Sequence, residues 1–437
     1  MFTSIPAALA IAVAGFPQAP PEGLSLQEAI DIALENSYAV RRAKATAQKS
    51  REQVNEGYAG MRPTLTGEFI YTRFDEETVA EFPAQDEHGN PITQSIVISP
   101  VDQRTGSLTL AQPVDIVGRQ RAGVSGAKAF EHASRAGLTA EEATVIRDTK
   151  LAYLDVLRAE AAVGIAEEAV TNAEERQRLA EAQVSAGTAS KIDILRAKTQ
   201  VAQNRQLLIQ AHNGVALAAS AFNNVLGRDV GEPVRLVALA GMPEVAATLD
   251  DLIQRATEAR PEVRQAEWLV RFSREMLRLE KLGNLPSLSL AVTLDHNFDT
   301  TLFNSRKDRI TGVAVFSVPI FDGHLTRARV GQARADLESA DVTLQEIRQA
   351  IGLEVKQSYL MVGEAEQRLD TAEAAMTEAE EALRLAQLRY KNGVGIQLEV
   401  SDAELALTQA RLNELNARFD YLDAYARLQR AVGMEGV

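Results

Sequence analysis

Two periods alternate along the chain. In PSLSLAVTLDHNF, from Pro286, the residues Leu288, Leu290, Val292 and Leu294 fall on one side of an extended chain, and Ser287, Ser289, Ala291 and Thr293 on the other. A period of two predicts a strand with one apolar and one small-polar face. PTLTGEFIYTRF (Pro63 to Phe74) puts Leu65, Phe69 and Tyr71 on one side, with a less clean alternation. GSLTLAQPVD and TGVAVFSVPIFDG supply returning strands that end at Pro113 and Pro319. The expected strands are about 63–75, 104–114, 286–298 and 309–320, with Leu108 and Leu110 on one face and Ala314, Phe316 and Val318 on the matching face. Between them the sequence predicts a long acidic loop, Asp75 to about Arg104, and a shorter one, DTTLFNSRKD.

Elsewhere the period is helical. Leu337, Ala340, Leu344, Ile347 and Ile351 recur three and four apart, the seam of a coiled coil, and Leu412, Leu415, Phe419, Leu422 and Ala426 repeat the spacing. The pattern predicts helices from Leu26 to about Arg62, Gly118 to about Val184, Leu249 to about Leu282 and Leu325 to about Tyr390. A run of about 65 residues at about 1.5 Å each is roughly 100 Å of helix, more than a globular domain needs.

The two periods occur twice in the same order. SLQEAIDIALENSYAVRRA from Ser25 matches TLDDLIQRATEARPEVRQA from Thr248, an offset of 223 that also carries Pro63 onto Pro286. Further on the offset is 206, pairing Pro113 with Pro319, Tyr153 with Tyr359, Gly187 with Gly393 and Gly227 with Gly433. The chain therefore reads as an internal duplication. A first repeat spans residues 20–230, a linker 231–247, and a second repeat 248–437, each with a helix, two strands and a long helical hairpin. Residues 1–19 read as a signal peptide, with an apolar core from Ile5 to Phe16 and an A-x-A site at Ala12 to Ala14, but no positive n-region.

Composition narrows the class. With 46 basic against 60 acidic residues the net charge is −14, which disfavours nucleic-acid partners. The absence of cysteine excludes disulfides and thiolate metal sites. No segment after the leader carries about 20 uninterrupted apolar residues, so a membrane would be entered with strands. About ten residues suffice for a tilted strand to cross an outer membrane, and serine and threonine suit a wet lumen better than lysine and glutamate would. A soluble β subdomain packed on the helices is the competing reading. Four strands cannot close a membrane barrel, which needs about eight, so the membrane reading requires several copies. His88, His132, His212, His296 and His324 are scattered, without metalloprotease spacing, and neither a Walker-type loop nor a GxSxG elbow occurs. The expectation is no enzyme, no cofactor and no metal.

The duplicated order of helix, strands and glycine-split helix pair resembles the TolC outer-membrane efflux family over nearly all the chain from Ser25 to Gly433. The motifs that carry the resemblance are QPVDIVGR, VPIFDGH, VSAGTASKIDILRA and RYKNGVGIQLEVSDAEL. It implies an α+β membrane protein: a homotrimer whose twelve-stranded β-barrel, four strands per protomer, sits in outer-membrane lipid. The barrel would be continuous with a long antiparallel α-helical coiled-coil barrel in the periplasm. It further implies a passive exit duct of a tripartite efflux or type I secretion system, partnered by a periplasmic membrane-fusion adaptor and an inner-membrane RND or ABC transporter. The alternative is a soluble periplasmic coiled-coil scaffold or adaptor.

The glycine turns are the candidate site. Glu399 and Asp402 lie three apart on nearly one helix face, and the 206 offset pairs Asp193 with Glu399 and Arg196 with Asp402. Acids at a helix start are favoured by the dipole in any protein, so these residues also fit a plain helix hairpin. The resemblance makes Glu399 and Asp402 a cation-attracting ring and gives Asp193 and Tyr390 to links that hold the entrance shut. It also implies a closing arginine where this chain has Gly395, leaving Arg196 or Lys191 as the gate cation. The turns Gly187, Thr188, Ala189 and Gly393, Val394, Gly395 are where an adaptor would meet the tips.

Overall fold

A computed structural model describes residues 23–239, 241–299 and 306–434, so the expected leader at 1–19 lies outside the described residues. In chain order the elements are α1 (Leu26–Asn36), α2 (Tyr38–Ala59), β1 (Thr64–Arg73), β2 (Thr78–Gln85), β3 (Pro91–Ser99), β4 (Asp102–Val114), α3 (Arg119–Ser185) and α4 (Lys191–Leu226). They continue with α5 (Leu249–Ala259), α6 (Pro261–Lys281), β5 (Ser287–Asn297), β6 (Asp308–Ser317), α7 (Leu325–Lys391) and α8 (Gln397–Val432). Two compact units divide the chain. One comprises Arg41–Glu141 and Asp250–Glu354; the other holds the residues up to Val40, Glu142–Leu249 and those from Val355.

The first of these contains all six strands found among the described residues. β1, β4, β5 and β6 form one antiparallel sheet in the order β1-β4-β5-β6. Register puts Leu65 opposite Leu110, Leu110 opposite Val292, Leu108 opposite Leu294, and Leu294 opposite Ile310. All of these are exposed, so the sheet presents a continuous apolar face that nothing in the chain covers among the described residues. The opposite face carries a row of threonines, Thr66, Thr109, Thr293 and Thr311, one from each strand and in register. The Thr109 and Thr293 hydroxyls are 3.2 Å apart. β1 and β6 are the outer strands, each with one edge unpaired among the described residues.

Two local expectations are corrected here. The stretch expected to be a loop from Asp75 to Arg104 holds a separate hairpin, β2 with β3. Its turn is built by Asp86, whose carboxylate accepts from the His88 and Asn90 amides, both at 2.8 Å, and from Asn90 Nδ2 at 3.0 Å, with Gly89 at φ 79°. Such side-chain-to-backbone turns do not depend on the apolar periodicity that the sequence reading followed. The helices expected to run unbroken from Leu26 and Leu249 are each interrupted, at Ser37 and at Arg260. Pro261 occupies the first position of α6, where its missing N–H costs nothing, and it holds Arg260 extended at φ −64°, ψ 131°. Arg260 is buried and paired with Glu262 at 2.9 Å and with Glu354.

The other unit is helical and includes α4, α8 and the later parts of α3 and α7. α3 and α7 both have 67 residues, and α4 and α8 both have 36. Alanines such as Ala152, Ala166, Ala173, Ala180, Ala417, Ala424 and Ala431 are buried along these helices and let their backbones approach. Tyr153 is fully buried; its hydroxyl lies 2.5 Å from the Val237 carbonyl and 3.0 Å from that of Leu24. It thereby pins two extended segments that meet in a parallel bridge at Leu24 and Leu236. α4 ends at Gly227 (φ 71°), packed so closely on Asn36 that a Cβ there would sit 2.7 Å from the Asn36 carbonyl oxygen.

Candidate functional site: the tips of the two helical hairpins

Each long hairpin turns by the same backbone device. α3 stops with Thr188 N–H donating to the Gln183 carbonyl (2.9 Å) and Gly187 N–H to that of Val184 (3.1 Å). α7 stops with Val394 N–H donating to Arg389 (3.0 Å) and Gly393 N–H to Tyr390 (3.0 Å). This pair of bonds is the Schellman motif, and it needs the left-handed conformation that Gly187 (φ 77°) and Gly393 (φ 72°) adopt.

The second helices start differently. α4 is capped by Ser190, whose hydroxyl accepts from Ile192 N–H, while Asp193 Oδ2 accepts the Ser190 amide at 3.0 Å. Asp193 is thus bonded to its own helix start. α8 is preceded at its N-cap by Ile396, which has no side-chain oxygen and gives no cap. Its counterpart acid, Glu399, is therefore not drawn into a capping box and pairs with Arg389 Nε at 3.4 Å across the turn. Both side chains are about half exposed, so this pair contributes at most about 1 kcal/mol, and its weight is positional. Gly395 makes room for it. A Cβ at 395 would lie 3.0 Å from both Glu399 Oε2 and Arg389 Cβ. A side chain at 395 and the Arg389–Glu399 pair compete for one space.

The remaining expected residues are placed as follows. Tyr390 donates its hydroxyl to Gln183 Oε1 at 2.6 Å, joining the two hairpins, so within one chain its partner is Gln183 and not Asp193. Asp402, Lys191 and Arg196 are exposed, and among the described residues none of the three forms an ion pair. Thr188, Gly187, Gly393 and Val394 are exposed on the turns; Ala189 and Gly395 are half-buried. Arg389 and Gln183 were not among the expected residues. The signal that could have found them is the 206 offset, which pairs Gln183 with Arg389 next to Tyr390.

The sequence is matched by a family model, outer membrane efflux protein, over residues 29–228 and 252–434. The chain belongs to the outer membrane efflux protein family. It is an outer-membrane channel for efflux or secretion that reaches into the periplasm, which sets aside the soluble scaffold. Within the efflux family it is 24% identical over 420 residues to the toluene efflux pump outer membrane protein TtgI of Pseudomonas putida, covering 94% of this chain and 85% of that one. Escherichia coli TolC is 23% identical over 279 residues, 56% of each chain. Among solved structures, the Campylobacter jejuni CmeC outer membrane channel superposes with a TM-score of 0.79 at 17% identity, over 94% of this chain and 86% of CmeC.

Proposed function

We propose that three copies of this chain form a β-barrel of twelve strands, four from each, continuous with an α-helical tunnel built from the two repeats. In this reading it is the passive exit duct of a tripartite assembly, fed by an inner-membrane RND or ABC transporter through a periplasmic membrane-fusion adaptor. The observation that carries the reading is the sheet. One face is apolar and exposed, the other bears a row of threonines, and both outer edges are unpaired among the described residues. In hydrocarbon every backbone group needs a partner, so an open sheet has to close on further strands. β1 and β6 are antiparallel to each other through the order β1-β4-β5-β6, so β6 of one copy can add to β1 of the next without breaking the alternation. The number three comes from the family likeness. The equal lengths of α3 and α7, and of α4 and α8, support the duplicated tunnel.

At the tips, Glu399 and Asp402 form the cation-attracting constriction, with Asp193 and Tyr390 in the links that keep it narrow. Arg389 takes the place of the closing arginine that Gly395 lacks, and Lys191 and Arg196 remain free to meet a neighbouring copy. The turns 187–189 and 393–395 receive the adaptor. Single-channel recording in planar bilayers tests the ring. Glu399→Ala with Asp402→Ala is expected to lower cation selectivity and relieve block by divalent ions, and unchanged selectivity would remove both residues from the constriction. Bulky residues at Gly187 and Gly393 are expected to abolish efflux while trimers persist in the membrane.

A further inference from the structure

The helices join the four-stranded sheet at Thr64, Val114, Ser287 and Ser317, so its remote end is marked by Arg73, Asp102, Asn297 and Asp308. Between the strands at that end, charges are settled within the chain. Arg73 pairs with Asp102 at 3.4 Å, Arg104 with Asp299 at 2.7 Å, and His296 Nδ1 lies 2.6 Å from Asp308 Oδ1. Arg309 stands opposite Asp295 in register.

The two outer edges keep surplus charge, and of opposite sign. Beyond β1 the ladder continues into the β2–β3 hairpin: Phe74 N–H donates to the Val101 carbonyl at 2.8 Å, and Thr78 then stands opposite Ser99. Asp75, Glu76 and Glu77 lie between Phe74 and Thr78, against Pro100 alone on the inner side, so the extra length of chain falls on the outer edge. These acids are exposed, and among the described residues none of them forms an ion pair. β2 adds Glu81, whereas β3, on the inner side, carries no charged residue. Residues 75–101 contain no lysine or arginine. At the other edge β6 is preceded by Arg306 and Lys307, both exposed and without an ion pair among the described residues.

Like charges side by side repel, and the two groups cannot relieve each other within one copy. With β4 and β5 between them, the outer strands stand about 14 Å apart, three strand spacings of about 4.8 Å. We propose that these edges are the two halves of a clasp between copies: Asp75, Glu76 and Glu77 of one copy dock against Arg306 and Lys307 of the next. The clasp rests on the channel reading, in which β6 of one copy meets β1 of the next, and it supplies side chains that select that joint. Two like edges brought together would set acid against acid or base against base. Exposed ion pairs hold little by themselves, so the clasp chooses the partner edge and steers the encounter more than it holds the ring together.

The full-length protein in outer membranes tests this with two readouts. A zero-length carbodiimide joins a lysine amine only to a carboxylate in contact with it, and Lys307 is the only lysine between Lys281 and Lys356. Coupling is expected to yield chains linked to one another on a denaturing gel, with Lys307 joined to a residue from 75 to 77. Lys307→Arg, which keeps the charge without the amine, is expected to abolish that linked peptide. Arg306→Glu with Lys307→Glu is expected to lower the temperature at which the oligomer dissociates in detergent by several degrees at low salt. The gap should close at about 1 M salt, where charges are screened beyond about 3 Å. Adding Glu76→Lys and Glu77→Lys is expected to restore the temperature, which a misfolded variant would not do. Intact oligomers without the linked peptide would overturn the clasp and leave the ring standing. So would charge reversal that leaves the dissociation temperature unchanged, or a loss that the swap fails to restore. An unsubstituted chain that forms no oligomer in the membrane would remove ring and clasp together.

Discussion

At the residue scale, glycines with the same backbone conformation do unequal work. Gly187 and Gly227 are both left-handed, yet only Gly227 has a neighbour in the way, the Asn36 carbonyl. Gly187→Ala is expected to cost about 1 kcal/mol, the left-handed penalty alone. Gly227→Ala adds a steric clash to that penalty and is expected to cost about 2–3 kcal/mol. Denaturant melts of the two variants measure the difference; equal losses would mean that the α4 end moves away from α1 freely. Gly395 is a third case, with no left-handed strain and a need only for space beside Glu399. The sequence expected a locking arginine there; the arginine that meets Glu399 in the structure is Arg389, six residues earlier.

At the element scale, one residue decides what a carboxylate does. Ser190 draws Asp193 into a capping box, and Ile396 leaves Glu399 to Arg389. Ile396→Ser creates the Ser-x-x-Glu pattern of a capping box. It is expected to stabilise α8 by about 1 kcal/mol and to pull Glu399 off Arg389. A change in cation selectivity without loss of trimers, read in bilayers, is the outcome that links cap to constriction. The four sheet strands were legible because apolar and small residues alternate cleanly enough to fix both the strands and their matching faces. Leu108 and Leu110 do share a face with Ala314 and Phe316 through β5. The β2–β3 hairpin was not legible, because its turn depends on hydrogen bonds from Asp86 that leave no apolar trace. Nor was the Arg389–Glu399 pair, which exists because a cap is absent. The acids and glycines of the tips stood out in the sequence; whether each acid caps its own helix or takes a base depended on the residue three positions before it.

At the scale of the whole molecule, the two faces of the sheet make opposite demands. Val292 and Thr293 are adjacent in β5 and point to opposite sides. Val292→Arg puts a charge on the apolar face and is expected to cost about 2–4 kcal/mol if that face meets the middle of the bilayer. Thr293→Arg is expected to leave membrane assembly intact and to reduce cation conductance. Comparing the yield of detergent-extracted trimers with single-channel currents separates the two, and reversed results would turn the sheet inside out. The unpaired edges have one more consequence. Joining β6 of one copy to β1 of the next is a head-to-tail contact, and nothing in such a contact says when to stop. A ring and an endless ribbon satisfy the same hydrogen bonds. Counting to a closed number must therefore come from curvature, and in the proposed barrel the small side chains of the threonine row would be where the sheet can bend tightly enough to count.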